Sequence, residues 1–186
     1  MGKSHDLATI SDDGISNLKV GTIKSTGGTT AMTVDSSGRV LRSVLPAWRV
    51  SLINEQFETA AGGPFKVEFD KQGTENCFIQ GGVTLSSGTI TVPVAGLYRC
   101  GSTIRVDDVS GSYYIIAYIR KNNETTGSSD SYVIADDHGA NYHSLTMTDL
   151  YQCQANDQLE CYVYIQSDTS WSIYPTNSHF NGHLVG

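Results

Sequence analysis

His179 and His183 are four residues apart, a spacing at which two histidines can bind one metal ion when they lie on a helix. The pair falls in a segment whose residue pattern predicts a β-strand. On a strand, residues four apart lie roughly 13 Å from each other, which is too far for both side chains to bind one ion. We therefore expect no metal site at these histidines.

Carboxylates are the other groups that could do chemistry. Asp107 and Asp108, and the run Asp136-Asp137-His138, lie in predicted turns or loops, and neither set has the spaced oxygen ligands of a dedicated calcium loop. The sequence contains no Gly-x-Ser-x-Gly motif, no phosphate-binding loop and no dinucleotide fingerprint. We interpret the acidic residues as solvated loop residues and expect no catalytic residues, no cofactor and no enzymatic activity.

Four cysteines occur at positions that match no zinc-binding pattern: Cys77, Cys100, Cys153 and Cys161. They could form two disulfide bonds, but a domain of this size does not need them. The opening residues, from Met1 to Asp6, lack the apolar core of an export signal. We expect free, buried thiols, with disulfide pairing as the alternative.

The balance of charge limits the partners of the chain. Its 186 residues include 12 Lys and Arg against 19 Asp and Glu, a net charge of −7, and the basic residues are scattered. Because nucleic acids and anionic membranes bind clustered Lys and Arg, neither is an expected partner. No apolar run approaches the roughly 18 to 20 residues that cross a bilayer, so we expect no membrane insertion.

Short segments rich in β-forming residues, separated by turn-forming clusters, run through the chain after Pro46. No segment there has a credible helical pattern. The predicted strands span 47–53, 65–69, 76–80, 89–93, 97–106, 112–121, 131–135, 144–153, 158–166, 170–174 and 179–185. Strands at such close spacing predict an all-β sandwich or barrel.

The sequence before Pro46 has a different composition, and we divide the chain into an arm, residues 1–45, and a main domain, residues 46–186. The arm holds short alternating segments and a predicted turn at Asp35-Ser36-Ser37-Gly38. Such pieces are too thin to bury a core alone, so we expect the arm to attach to its own main domain, a sister chain or a larger assembly. Its candidate anchoring residues are Leu18, Val20, Ile23, Met32 and Val34.

Side chains alternate between the two faces of a strand, so the sequence indicates which faces are apolar. In 98–106 only one face is apolar, whereas in 112–121 and 158–166 both faces are. The additional apolar face carries Tyr114, Ile116, Tyr118, Tyr162 and Tyr164. A two-layer sandwich covers only one face of each sheet, so we expect another copy of the chain to cover these five residues. A solvent-exposed aromatic surface is the alternative.

Four ordered motifs carry a resemblance to a known family: Phe65–Asp70, Gly88–Tyr98, Asn156–Cys161 and Ser178–Val185. With the pair Ala47-Trp48, they resemble the complement globular-head domain, a relative of tumour necrosis factor. The residues that carry the signature are Pro93, Gly96, Tyr98, Phe180 and Gly182. This resemblance implies a ten-strand jelly roll that assembles as a tight homotrimer.

A proline and a glycine interrupt the second of these motifs, which otherwise consists of β-forming residues. We expect Pro93 and Gly96 to end one strand near Val92 and to turn the chain into the next, which begins near Tyr98.

The arm carries a second resemblance. Asn17–Lys24 and Ala31–Val40 resemble the leader of fibre and other virion proteins of tailed bacteriophages. Together, the two resemblances imply a trimeric structural protein that is assembled in the host cytoplasm and displayed on the virion surface. Within that class we favour a capsid decoration or cement protein whose residues 1–45 bind other capsid or tail proteins.

Two alternative functions remain open. In a receptor-binding tail fibre or adhesin used for host attachment, the loops at 122–130 or 136–143 would contact a glycan or protein of the host surface. The second alternative is a free, lectin-like, ligand-binding trimer outside any virus.

Overall fold

The computed structural model describes residues 22–24, 27–28, 30–41, 45–59, 62–109, 114–124, 131–136, 142–166 and 170–186. Within these residues the regular structure is β-strand, apart from one 3-10 turn at Pro175–Asn177. The prediction of an all-β chain is therefore confirmed. The chain divides into two compact units, Met1–Ser43 and Val44–Gly186.

The first unit contains a small antiparallel sheet of three strands, in the order β1-β2-β3: β1 (Thr22–Lys24), β2 (Thr30–Val34) and β3 (Val40–Leu41). The turn between β2 and β3 is the predicted one, because Oδ1 of Asp35 accepts hydrogen bonds from the backbone N–H groups of Ser37 and Arg39, each at 2.9 Å. Gly38 completes this turn with a φ of +79°, a conformation that glycine adopts most easily.

The candidate anchoring residues are distributed over this unit. Ile23 lies on β1 and is 46% exposed, while Met32 and Val34 lie on β2 and are half-buried. Leu18 and Val20 lie outside the described residues.

The second unit is built from two antiparallel sheets. The first sheet contains β4 (Ala47–Ser51), β5 (Gln56–Glu58), β7 (Phe78–Gln80), β10 (Gly96–Asp107), β13 (Tyr142–Cys153), β15 (Trp171–Ile173) and β16 (His179–Leu184). Their order is β5-β15-β10-β16-β4-β7, and β13 also pairs with β10 along its full length.

The second sheet contains β6 (Gly62–Lys66), β8 (Thr84–Ser86), β9 (Thr89–Thr91), β11 (Tyr114–Lys121), β12 (Ser131–Asp136) and β14 (Gln158–Ile165). Their order is β12-β11-β14-β9-β8, and β6 pairs with β14 beside β9.

The core lies between the two sheets and contains alternate residues from each. On β10 the core residues are Tyr98, Cys100, Ile104 and Val106, and on β14 they are Leu159, Cys161, Val163 and Ile165. Arg99, on the other face of β10, is exposed. The expected burial of the apolar face of 98–106 is therefore confirmed, and the arrangement is an antiparallel sandwich.

The largest differences from the predicted strands are at β5, β6 and β8. Two short strands, β5 and β8, are absent from the predicted set, and β6 begins and ends three residues before the predicted 65–69. The sequence of β6 starts with Gly62-Gly63-Pro64, residues with little intrinsic preference for strands, and its pairing with β14 is irregular. Tertiary pairing, rather than local preference, places this strand.

Gly182 and Phe180, two of the signature residues, lie on β16 beside Trp48 of β4. Gly182 is the register partner of Trp48, and a Cβ added at Gly182 would overlap the indole ring, 2.5 Å from Cη2. The ring is 1% exposed and packs edge-on against Phe180 at a centroid distance of 5.6 Å. The glycine is needed because the tryptophan ring lies across it.

The interruption at Pro93 and Gly96 separates two strands, because β9 ends at Thr91 and β10 begins at Gly96. The hydroxyl of Tyr98 donates a hydrogen bond to the carbonyl of Val94 at 3.0 Å, which closes the intervening turn. A Cβ at Gly96 would lie 2.5 Å from Cδ1 of Leu184. The turn therefore packs directly against the last strand.

The structure places all four cysteines as free, buried thiols. Burial raises the pKa of Cys100 well above its ordinary value, that of Cys153 to about 11 and that of Cys161 to about 12. Thiolates are the reactive form of cysteine, so these groups are poor nucleophiles near neutral pH.

We expect a disulfide-forming reagent such as Ellman's reagent to react slowly with the native protein and with all four thiols after unfolding. The measurement is the absorbance of the released thiolate with and without denaturant. A Cys77→Ser variant isolates the contribution of Cys77, which lies outside the regular strands and is 5% exposed. Fewer than four reactive thiols in denaturant would show disulfide pairing instead.

Candidate functional site

The outer face of the second sheet carries the five residues predicted to lie at an interface. In the register between β11 and β14, Ile116 is opposite Tyr164 and Tyr118 is opposite Tyr162. The rings of Tyr118 and Tyr162 stack at a centroid distance of 5.8 Å, and those of Tyr114 and Tyr164 stack at 5.9 Å. The sheet therefore brings all five residues onto one surface, which we call the tyrosine face.

The members of the tyrosine face differ in exposure. Tyr118 and Tyr162 are each 8% exposed, because they cover each other and because the guanidinium of Arg120 lies over both rings, at 4.8 and 4.7 Å from their centroids. Tyr114, Ile116 and Tyr164 are half-buried. Part of the predicted interface is thus already covered within one chain.

Two residues of β12 that were not among the five predicted ones complete the tyrosine face. Tyr132, opposite Tyr118, is 64% exposed, and Ile134, opposite Ile116, is 51% exposed. The sequence contains a signal for them, because 131–135 has apolar residues at both odd and even positions, as 112–121 and 158–166 do. That signal assigns the residues to a second apolar face of β12, but it does not place them beside β11.

The tyrosine face is concave. With Pro64 at one end and Tyr132 and Ile134 at one side, it forms a groove of about 470 Å³. Four of the five predicted residues line this groove, and Tyr162 lies next to it under Arg120. Its walls are aromatic rings, aliphatic side chains and one guanidinium, which suit apolar and stacking contacts with another surface.

Three of the polar residues considered for catalysis or metal binding, Asp107, His179 and His183, lie on the first sheet and not in this groove. Asp107 forms a bidentate ion pair with Arg105, at 2.6 and 2.7 Å. His179 is half-buried and His183 is exposed on β16, while Asp137 and His138 lie outside the described residues. Among the residues that the structure describes, no group of three or more His, Cys, Asp or Glu could hold a metal ion.

No protein-family model and no curated protein matches this chain. The resemblances to the complement head and to phage leaders therefore rest on their motifs. Within the described ranges, no helix has the length and apolar character that crossing a membrane requires.

A buried carboxylate borders the tyrosine face. Oε1 of Glu160 accepts hydrogen bonds from Oγ1 of Thr89 at 2.6 Å and Nζ of Lys66 at 3.3 Å, and Oε2 accepts one from the hydroxyl of Tyr162 at 2.9 Å. Burial raises the pKa of Glu160, but these hydrogen bonds and the charge of Lys66 outweigh it and hold the pKa below its ordinary value. Burial and the same carboxylate raise the pKa of Tyr162 to about 12.

The ionised form of Glu160 is expected to stabilise the fold at neutral pH. Because its pKa is lowered on folding, this stabilisation is present above the ordinary pKa of 4.5 and is lost as the pH falls below that value through the folded pKa. A Glu160→Gln variant should be about 1–3 kcal/mol less stable at pH 7 and should lose less stability than the wild type on acidification. Urea unfolding between pH 7 and pH 3 measures both effects.

Glu68→Gln is the matched control for this experiment, since Glu68 is exposed on the same domain. It should unfold with nearly the pH dependence of the wild type. Equal pH dependence in wild type and Glu160→Gln would show that the carboxylate network contributes nothing.

Proposed function

We propose that this protein is a trimeric structural protein of a bacteriophage virion surface, most simply a capsid decoration or cement protein anchored by residues 1–45. The observation that supports self-association is the concave tyrosine face, with the exposed side chains of Tyr132 and Ile134 at its side. The assignment to a virion is supported by the resemblance of the arm to phage leaders.

The tyrosine face supports self-association because monomers seldom expose large contiguous apolar patches. Tyr132 and Ile134 project beside a groove that also contains Tyr114, Ile116 and Tyr164. The net charge of −7 disfavours a nucleic-acid partner, whereas a second copy of the chain needs only a self-complementary surface. The resemblance to the complement head favours a trimer of ten-strand jelly rolls among the closed assemblies.

The first unit supports the anchoring role. Its three strands contain two to five residues each, and Ile23 and Val40 are 46% and 54% exposed. Small sheets of this kind gain stability when another surface covers their apolar residues. Attachment to a capsid or tail protein would supply that surface.

A receptor-binding head is the second candidate, favoured by the end of the 136–143 loop. Tyr142 is 59% exposed, and the guanidinium of Arg105 lies 4.8 Å from its ring centroid. An exposed ring held by a cation is a suitable platform for a sugar of the host surface. Residues 137–141 of this loop, and residues 125–130 of the 122–130 loop, lie outside the described residues.

Copy number and location in purified virions separate these functions. A decoration protein is expected in many copies on the capsid, and particles lacking it should be less stable to heat. An adhesin is expected in few copies at the tail, and its loss should prevent adsorption.

Deletion of residues 2–45 should abolish incorporation of the protein into virions while leaving a folded trimer. Absence of the full-length protein from virions would contradict the virion proposal and favour a free ligand-binding trimer.

A further inference from the structure

A second groove, of about 410 Å³, lies on the first sheet, which is the opposite side of the sandwich from the tyrosine face. Its floor is formed by Arg49 and Ser51 of β4 and by His179 of β16. Lys71 and Asn76 border one side, and Thr176 borders the other. The volume lies in the range of roughly 300–1,000 Å³ that is usual for small-molecule sites.

The groove is basic in a protein that is acidic overall. Arg49 and Lys71 carry its positive charge beside the imidazole of His179, and within the described chain none of the lining residues is Asp or Glu. No carboxylate of the described residues lies within ion-pair distance of these three groups. Asp70, the sequence neighbour of Lys71, accepts a hydrogen bond from the backbone N–H of Ile53 at 2.7 Å and does not line the groove.

The walls of the groove are held in place by hydrogen bonds to one residue. The single hydroxyl proton of Ser51 is donated to the carbonyl of Ser178, 2.7 Å from Oγ, and the carbonyl of Pro175 lies 3.1 Å from the same Oγ, so Ser51 ties β4 to the segment that contains Thr176. The backbone of Ser51 also exchanges hydrogen bonds with that of Lys71, at 2.9 and 3.3 Å. The groove is therefore preformed, so that a ligand would not have to order it.

The polar groups that line the groove include donors that suit an anion. Burial and the neighbouring charge of Arg49 lower the pKa of His179, so its imidazole is neutral near pH 7 and carries one N–H donor. Arg49 and Lys71 supply positive charge, while Asn76 and Thr176 supply hydrogen-bonding groups that match hydroxyls.

We propose that this groove binds the oxyanion of a small, hydroxyl-bearing ligand, a carboxylated or phosphorylated sugar. Arg49 and Lys71 bind the anionic group, and the amide and hydroxyl side chains contact the sugar hydroxyls. The site is independent of the tyrosine face and of the proposed virion role, because it lies on the other sheet and within one chain.

The test is titration of the full-length protein with three probes, glucuronate, glucose 6-phosphate and glucose, at constant ionic strength, by calorimetry or by NMR. We expect saturable binding of glucuronate or glucose 6-phosphate and at least tenfold weaker binding of glucose. The tighter of the two anionic probes identifies the carboxylate or the phosphate as the preferred group. Failure of both anionic probes to saturate below about 10 mM would overturn the proposal.

Variants then locate the site. Arg49→Gln and Lys71→Gln should each weaken binding of the anionic probe about tenfold or more, since each removes a charge that faces the anion. Arg99→Gln removes the same charge from an exposed position on the same sheet, outside this groove, and should bind like the wild type. Thermal unfolding verifies that each variant is folded. Unchanged binding in both groove variants, or an equal loss in Arg99→Gln, would assign the binding to general charge and overturn the site.

Discussion

Gly182→Ala is expected to destabilise the main domain by about 3 kcal/mol, the upper end of the usual cost of overpacking a core. The added methyl group would overlap the ring of Trp48, which is the register partner of Gly182. The ring has little room to move, because it is 1% exposed and contacts both Tyr98 and Phe180. For a chain of this size, the thermal midpoint should fall by roughly 2–4 °C for each kcal/mol.

Gly101→Ala provides the matched control on the neighbouring strand. A Cβ there would lie 3.2 Å from Oγ1 of Thr148 and 3.4 Å from Nδ2 of Asn181, two side-chain ends that can move. We expect its free energy of unfolding to change by less than about 1 kcal/mol.

Combining Gly182→Ala with Trp48→Leu should lower the free energy of unfolding by less than the sum of the two single changes, because the shorter side chain removes the overlap. Equal stability of Gly182→Ala and wild type would show that the packing of Trp48 does not require a glycine.

The double variant Tyr132→Ser, Ile134→Ser is expected to be a folded monomer at micromolar concentrations at which the wild type is a trimer. This prediction depends on the proposed self-association. The two side chains are 64% and 51% exposed in the single chain, so their removal should affect the fold little. Burying them against another copy would contribute roughly 3 kcal/mol for each pair of subunits, and its loss should weaken association about a hundredfold.

Sedimentation equilibrium or gel filtration with light scattering measures this change. The control is the double variant Phe57→Ser, Leu150→Ser, which removes apolar residues that are 69% and 54% exposed on the first sheet. The control should remain a trimer. A monomeric wild type would contradict the self-association, and a trimeric Tyr132→Ser, Ile134→Ser variant would place the interface elsewhere.

The sequence by itself determined the class of the fold and the position of most strands. Alternation along a strand has a period of two residues, so it is a local signal that can be read without knowledge of the neighbouring strands. It assigned Tyr98, Cys100 and Ile104 to the buried face of β10, and the structure confirms that assignment. It also placed Tyr118 and Tyr162 on the second apolar faces of their strands.

Only the tertiary structure decided how these faces combine. The register between β11 and β12 sets Tyr132 beside Tyr118, and the placement of Arg120 over the rings covers two tyrosines that the sequence left open. The basic groove shows the same dependence, because Arg49 and His179 are 130 positions apart in the chain. Pairing between distant segments sets the strand order, and the alternation along one strand does not reveal which distant strands become its neighbours.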